Sequence, residues 1–284
     1  MMKEVYRAAE KAFLSIPQNV RDYSTVRITE YYLQSGLGHG FRTNKGRYWG
    51  HKIMTYWYEG KPTPLSKFAE GLFDGFTFNF EGLGKLPDTG VEILVVNQPN
   101  TGPLRGNWFK FLVNYAVAER RGQKGNYEAR WVQKELSDHP LYQVNPLGVQ
   151  RARLSRMINK SCNTIIVGST LSDRENLKAV LAMRKQLKDG GVLVICPEGR
   201  DNKALSRGKE EAGELIGMLA KRGTTVRPAG AWNQGTNLNV NFGDPLSINT
   251  ACGQELADLA MVNIARLIPK EVRGVYEKLA AITG

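Results

Sequence analysis

The chain has 284 residues, of which 42% are hydrophobic, and its 39 Lys and Arg residues outnumber its 27 Asp and Glu residues, giving a net charge of +12. A chain of this length and composition can fold around a large core without disulfide or metal cross-links, which excludes disordered and collagen-like proteins. The positive charge is spread along the sequence. It predicts attraction to anionic partners without choosing among phospholipid headgroups, nucleic acid and phosphorylated small molecules.

The N-terminal segment and the cysteines predict a cytosolic protein. Charged residues interrupt segment 1–20, which therefore lacks the apolar core of a signal peptide. The longest apolar runs, 91–96 and 192–196, are far shorter than the roughly 20 residues of a membrane-spanning helix. Cys162, Cys196 and Cys252 are odd in number and lack metal-ligand spacing. We expect three buried thiols, no membrane span and no metal site.

Residues 1–80 are interpreted as a mostly helical N-terminal region. Apolar residues between Val5 and Phe13 follow helical spacing, and segment 36–60 is rich in Gly and aromatic residues. Segment 47–61 mixes basic and aromatic side chains, a composition that suits a bilayer interface or single-stranded nucleic acid. Packing of a helix against the core explains the same composition. The sequence leaves these readings open.

From about residue 81, short apolar strands alternate with amphipathic helices. This pattern predicts an α/β fold, a layered sheet of largely parallel strands flanked by helices, over residues 81–284. One helix is predicted in segment 171–191, with Leu177, Val180, Leu181, Arg184 and Leu187 on one face and a stop at the glycine pair 190–191. Two more are predicted at 209–222 and 254–267. The predicted strands are 91–96, 164–167, 192–196, 225–231 and 238–242.

Polar residues follow two of the predicted strands, where a parallel sheet collects its binding groups. A carboxylate, a glycine and a guanidinium at a strand end can grip a phosphate, since Arg offers a fork of donors and Gly lets the backbone approach the anion. The first group is Asn97, Gln98 and Asn100, and the second is Glu198, Gly199 and Arg200, followed by Arg207 and Lys209. Taken alone, the Pro-Glu-Gly sequence of the second group favours a solvated turn with a local Glu–Arg pair.

Four motifs occur in order in the second half of the chain: Pro197-Glu198-Gly199, Gly213, the Val226-to-Pro228 run and Gly243-Asp244-Pro245-Leu246. In this order they resemble the glycerol-3-phosphate and lysophosphatidic acid acyltransferase family. That family has a strand ending in Phe-Pro-Glu-Gly-Thr-Arg, a Gly/Ala-rich helix, a Val-Pro-bearing strand and a closing Gly-x-Pro-Ile. Segment 78–99 resembles the family's lead-in to its catalytic motif, and the resemblance covers about residues 78–276.

The chain departs from this family at its catalytic motif, Asn-His-x-x-x-x-Asp, in which the His takes the proton of the acceptor hydroxyl and the Asp orients the His. The His position holds Gln98 and the Asp position holds Pro103, neither of which can replace the dyad. Arg200 stands in place of the family's Thr, and Asp201 in place of its Arg. None of His39, His51 and His139 has an Asp five residues later.

The resemblance implies transfer of a fatty acyl group from acyl-CoA or acyl carrier protein to a lysophospholipid or glycerol phosphate in phospholipid biosynthesis, with no further cofactor. Asn97, Gln98 and Asn100 would line the reaction centre. The phosphate would be held by Glu198, Gly199 and Arg200, with Arg207 and Lys209 as weaker contributors.

The partners implied are the two substrates and the anionic inner face of the membrane, with the protein cytoplasmic and peripheral. The alternative is a catalytically inactive relative that binds lipid or acyl groups at that surface. A nucleic-acid-binding module ranks last, because no recognition motif supports it.

Overall fold

The computed structural model describes residues 43–59, 61–100, 108–122, 129–134, 159, 161–168, 172–199, 202–220, 224–248 and 251–282. The helix predicted near Val5, together with Pro103 and Arg200, lies outside these ranges. The seven strands are β1 Thr77–Glu81, β2 Glu92–Val96, β3 Arg130–Lys134, β4 Thr164–Val167, β5 Val192–Ile195, β6 Thr225–Gln234 and β7 Asn237–Phe242. The α-helices are α1 Asn44–Tyr58, α2 Leu65–Leu72, α3 Trp108–Arg121, α4 Asp173–Lys188, α5 Glu210–Ala220, α6 Gly253–Arg266 and α7 Glu277–Ile282.

The seven strands form one sheet in the order β1-β7-β6-β2-β5-β3-β4. Five of them, β6, β2, β5, β3 and β4, are parallel to one another. β7 returns antiparallel to β6, and β1 pairs parallel with β7. The predicted α/β architecture with largely parallel strands is therefore confirmed.

Two apolar clusters cover the two faces of the sheet, and β2 shows how the sequence divides between them. Leu94 and Val96 contribute to the cluster that contains α1, α2 and α3. Ile93 and Val95 contribute to the cluster that contains α4, α5, α6 and α7. Every residue of β2 is buried, as expected for a central parallel strand with helices on both sides.

The five predicted strands all occur; β4 has the predicted bounds, and each of the other four differs at one end by one to three residues. β1 and β3 are not among the predicted strands. The apolar content of β3 is only Trp131 and Val132, and the charged residues Arg130 and Lys134 stand at its ends. The pattern therefore lacks the continuous apolar run that identifies β2 and β5.

The helix predicted in segment 171–191 is confirmed as α4, but the face that carries Leu177 and Leu181 is not the one that is buried. Leu177 and Leu181 are 59% and 54% exposed, whereas Ala179, Met183 and Leu187 are buried. α4 packs on β4 and β5. The face of α4 that is buried in this contact carries the small Ala179 and not the two leucines. The helix begins with the capping box of Ser172 and Glu175 and stops at Gly190, whose φ of +76° suits glycine.

The described part of the N-terminal region packs into the main core. α1 packs against α2, and α2 against α3. Trp49 and Tyr56 of α1 both make edge-to-face contacts with Phe68 of α2. These contacts support helix packing as the role of those two aromatics. β1 crosses the expected boundary at residues 80 and 81, and the division into two domains stays a prediction.

The cysteines and the helix lengths bear on two further expectations. Cys162 is buried, Cys196 is half-buried and Cys252 is exposed, so the expectation of three buried thiols is confirmed for Cys162 alone. Cys252 is exposed because it stands at the N-cap position of α6, before the helix begins to pack, and its side chain makes no capping hydrogen bond. No helix within the described ranges combines the length and the apolar character needed to cross a bilayer.

A buried ion pair fixes the edge of the sheet where the parallel strands begin. Glu92, the first residue of β2, is fully buried and accepts a hydrogen bond from Arg227 Nε of β6 at 2.5 Å. Arg227 Nη1 donates to the Gly243 carbonyl at 2.8 Å. Burial raises the pKa of Glu92, while Arg227 opposes that rise. The pair ties β2, β6 and the segment after β7 together at the edge opposite the strand ends described below.

Close contact between α5 and α6 generates a stability prediction. A Cβ at Gly213 would lie 1.8 Å from the Gly253 carbonyl oxygen, so the helices must separate to admit a side chain. We expect Gly213→Ala to lower the free energy of unfolding by about 1–3 kcal/mol, the usual cost of overpacking. Urea denaturation of the purified variant measures this.

Gly217→Ala is the matched control on the same helix. Its Cβ would meet only Leu256 Cδ2, at 3.5 Å, which is an ordinary contact. The change should therefore be neutral or add up to about 1 kcal/mol through helix propensity. Equal stabilities for the two variants would contradict the proposed close contact.

Candidate functional site

The two polar segments that follow β2 and β5 meet at one edge of the sheet. β2 and β5 are neighbours in parallel register, so their carboxyl ends lie side by side. The Asn202 N–H donates to the Gln98 carbonyl at 3.1 Å, and the Asn100 N–H donates to the Asn202 carbonyl at 2.8 Å. Pro99 and Asn202 thus form an isolated parallel bridge. The hydrogen bonds continue the sheet for one step beyond the strands and join the two segments.

The Glu198 carboxylate lies beneath this junction and is only 1% exposed. Its Oε2 accepts hydrogen bonds from Asn202 Nδ2 at 2.6 Å and from Ser206 Oγ at 3.4 Å. Asn202 Nδ2 also reaches Ser206 Oγ at 2.8 Å, so the three side chains form one network. Glu198 Oε1 has no hydrogen-bond partner in the described part of the chain.

The surroundings of Glu198 shift its proton affinity. Burial raises the pKa of the carboxyl from its ordinary value to about 7, because the charged form loses water. The hydrogen bonds from Asn202 and Ser206, together with the nearby backbone N–H groups of Ser206 and Gln98, favour the charged form and limit the rise. Glu198 therefore changes protonation state near neutral pH, which an ordinary glutamate does not.

Asn97 holds the end of β2 against β6. Its side chain is 4% exposed. Nδ2 donates to the Ala231 carbonyl at 2.8 Å, and Oδ1 accepts from the Ala231 N–H at 2.7 Å. Both functions of the amide are thus engaged with the backbone of the neighbouring strand. In this arrangement the side chain orients the strand end.

A small pocket, here called the strand-end pocket, opens between the two segments. Its volume is about 230 Å³ including the part open to solvent. The free space within it admits about one water-sized group. Gln98 Oε1 is buried at this site without a partner among the described residues. The polar and aromatic lining consists of Asn97, Gln98, Glu198, Asn202, Lys203 and Trp232.

Three exposed basic side chains surround the loop that follows β5. Lys203 lines the strand-end pocket. The Lys209 side chain lies along Gly199, with Nζ 3.4 Å from the position that a Cβ at residue 199 would occupy. Gly199 has a φ of +66°, and its N–H donates to the Cys196 carbonyl at 3.1 Å. Arg207 points toward Asp258, with Nη2 3.6 Å from Oδ2.

The C-terminal segment holds this loop in place. The Leu205 N–H donates to the Val272 carbonyl at 2.9 Å, and the Val275 N–H donates to the Leu205 carbonyl at 3.2 Å. Gly274, with a φ of +53°, passes so close to Leu205 that a Cβ would lie 2.1 Å from its carbonyl oxygen. Tyr276 completes the clamp, because its hydroxyl accepts from the Gly208 N–H at 3.0 Å.

The structure thus brings most of the predicted site residues to one edge of the sheet. Asn97, Gln98 and Glu198 line the strand-end pocket. The Asn100 N–H donates to the carbonyl of Asn202, another lining residue. Gly199 and Lys209 lie beside each other at the adjoining turn. Arg207 is directed to Asp258. Sequence reasoning missed Lys203 and Ser206, for which closeness in the chain to Glu198 was the only signal. No group of His, Cys, Asp and Glu that could hold a metal ion occurs within the described ranges.

The buried carboxylate generates a pH prediction. Between about pH 4.5 and 7, the folded state retains a proton on Glu198 that the unfolded state has released, so this group lowers the free energy of unfolding as pH rises through that window. Glu198→Gln removes the effect. We expect the stability of Glu198→Gln relative to the unsubstituted protein to increase from pH 4.5 to pH 7 and then level off, as measured by urea denaturation.

Glu214→Gln makes the same chemical change at an exposed position of α5. Its stability relative to the unsubstituted protein should vary little over the same range. If the Glu198→Gln difference also proved independent of pH, the carboxyl would not be desolvated as described.

No protein-family model and no curated protein sequence matches the chain significantly. Its structure is similar to that of the 1-acyl-sn-glycerophosphate (LPA) acyltransferase PlsC from Thermotoga maritima, with 14% sequence identity and a TM-score of 0.45 over 84% of this chain and 87% of that chain. Because the identity and the TM-score are this low, the function is inferred from the residues of the site.

Proposed function

We propose that this protein transfers a fatty acyl group from acyl-CoA or acyl carrier protein to the hydroxyl of a lysophospholipid or glycerol phosphate. One observation carries the proposal: the segments that resemble the family motifs, Asn97 to Asn100 and Pro197 to Gly199, lie side by side at the carboxyl ends of β2 and β5, joined through Asn202. Segments about 100 residues apart in the chain thus form a single site, where an α/β sheet binds its ligands.

The acceptor phosphate is assigned to the basic groups around the turn after β5. Lys209, at Gly199, is the best placed of them, and Lys203 extends positive charge to the mouth of the strand-end pocket. Arg207 contributes charge but shares it with Asp258. Arg200, which follows Gly199 in the sequence, is proposed as a further contributor. Glu198 is not assigned a direct contact with the phosphate, because an ionised carboxylate would repel the anion. It supports the phosphate site indirectly, by holding the turn through Asn202 and Ser206.

The membrane surface is proposed as the source of the lipid acceptor. The net charge of +12 favours an anionic surface. α4 offers an apolar and basic patch that suits such a surface, because Leu177 and Leu181 are exposed beside the exposed Lys178 and Arg184. On this proposal the protein is peripheral to the cytoplasmic face.

The competing proposal is an inactive relative that keeps the lipid or acyl site for binding alone. It rests on Gln98 and Pro103, which take the positions of the family's catalytic His and Asp. Loss of a general base typically lowers rates by about 10²–10⁴-fold. The two proposals therefore differ in whether another group takes the proton.

Acyl transfer is tested by incubating the purified protein with labelled acyl-CoA or acyl carrier protein and lysophosphatidic acid, and measuring phosphatidic acid. We expect slow but measurable turnover by the unsubstituted protein. The double variant Gln98→His with Pro103→Asp should be faster, because it restores a base and its orienting partner. Turnover by the double variant alone would favour the inactive relative, and absence of product from both proteins with either donor would contradict the proposed function.

Two lysine variants show whether any turnover uses the proposed site. Lys209→Gln should raise the KM for lysophosphatidic acid roughly tenfold, because a charge-assisted hydrogen bond is worth about 1.5–3 kcal/mol. Lys188→Gln removes an exposed charge from the last turn of α4, at the edge of the sheet opposite the strand-end pocket, and should leave the KM for lysophosphatidic acid unchanged.

A further inference from the structure

The missing histidine leaves acyl transfer without an evident proton acceptor, and the structure holds a titratable group at the same place. Gln98, the residue at the histidine position, lines the strand-end pocket together with Glu198. Among the described residues that line this pocket, only Glu198 and Lys203 have titratable side chains. A lysine ammonium carries its proton at neutral pH and cannot accept another. Glu198 is the remaining candidate.

We propose that Glu198 acts as the general base of this protein, with Oε1 taking the proton of the acceptor hydroxyl in place of the absent histidine. This inference rests on the proposed acyl transfer. It names the group that accepts the hydroxyl proton when the His and Asp of the family motif are absent. It assigns separate roles to the two carboxylate oxygens, which the hydrogen bonds of the structure already distinguish.

Oε2 is the fixed oxygen and Oε1 the available one. Asn202 and Ser206 both donate to Oε2 and hold the carboxylate in one orientation. Oε1 is buried and has no partner in the described ranges. A buried acceptor without a donor is unfavourable, so a hydrogen-bond donor that enters the pocket is stabilised by pairing with this oxygen. A hydroxyl is such a donor.

The size of the pocket favours a hydroxyl over a larger group. The free space within the pocket admits about one water-sized group. A hydroxyl of a glycerol backbone is a group of this size. The second unpartnered acceptor, Gln98 Oε1, lies in the same pocket. Two unpartnered oxygens on one small cavity indicate a site built to receive a donor, whereas an anion would be repelled by both.

The charge environment gives the carboxylate a useful proton affinity. Burial raises the pKa of Glu198 to about 7, close to the pH at which a general base accepts a proton and later returns it. Among the described residues, the charged side chains at this site are Lys203 at the pocket and Lys209 beside Gly199, both exposed. Neither of them prevents the rise, because the loss of water on burial outweighs every stabilising contact of the charged form.

The proposed step conserves atoms and charge. The acceptor O–H bond breaks, its proton moves to Glu198 Oε1, and the acceptor oxygen forms a bond to the carbonyl carbon of the acyl thioester. The tetrahedral adduct then collapses, the C–S bond breaks, and the leaving thiolate takes the proton from Glu198. The carboxylate is regenerated and the products are an ester and a thiol.

The test is the pH profile of acyl transfer by the unsubstituted protein and by Glu198→Gln. The kcat/KM of the unsubstituted protein should fall on the acid side with a midpoint near pH 7. Glu198→Gln, which keeps the shape of the side chain, should lose about 10²–10⁴-fold in kcat, and its residual rate should lack the acid limb. Asn202→Ala should move that limb to higher pH, since it removes the hydrogen bond that most favours the charged carboxylate.

Three results separate the possible failures. Glu214→Gln, the exposed control on α5, should keep the rate and pH profile of the unsubstituted protein. Turnover by the unsubstituted protein together with a Glu198→Gln rate within threefold of it would overturn the role of Glu198 and leave acyl transfer standing. Absence of turnover by the unsubstituted protein with every donor and acceptor would overturn both proposals. Circular dichroism of Glu198→Gln checks that a loss of rate does not reflect unfolding.

Discussion

A single buried carboxylate organises the edge of the sheet where this protein's chemistry is proposed to occur. Glu198 gathers donors from Asn202 and Ser206, and Asn202 in turn bonds through its backbone to Gln98 and Asn100. The ends of β2 and β5 are thereby held together by contacts that converge on one side chain. Burying a charge is unfavourable unless hydrogen bonds compensate it. Here they compensate one oxygen and leave the other available, which makes the same group a structural anchor and a potential base.

The rest of the fold keeps this carboxylate dry and fixed. Asn97 clamps β2 to the backbone of β6, and Gly274 lets the C-terminal segment approach the loop at Leu205 closely enough to cover it. At the opposite edge of the sheet, the Glu92–Arg227 pair ties the start of β2 to β6. The central strands are thus fixed at both ends by polar contacts, while the apolar clusters on the two faces supply most of the stabilisation.

The sequence predicts the fold better than the site. Strands β2 and β5 are buried on both faces and read as continuous apolar runs, whereas β3, with charges at both ends, has no such signal. Parallel strands imply that polar residues after β2 and β5 meet, and they do. The burial of Glu198 and its contact with Ser206 depend on how the loop at 202–208 folds under the C-terminal segment, which no local pattern encodes. The exposed leucines of α4 show the same limit, since packing on the edge of the sheet decided the buried face.

The most direct test of the central claim is a measurement of the protonation of Glu198 in the folded protein. Carbon-13 NMR of protein labelled at the glutamate carboxyls, with the Glu198 signal assigned by its absence from Glu198→Gln, follows this group through a pH titration. A midpoint near pH 7 would support a desolvated carboxylate able to exchange a proton at the strand-end pocket. A midpoint near 4.5, the ordinary value for glutamate, would show a hydrated or fully compensated carboxylate and would contradict the account.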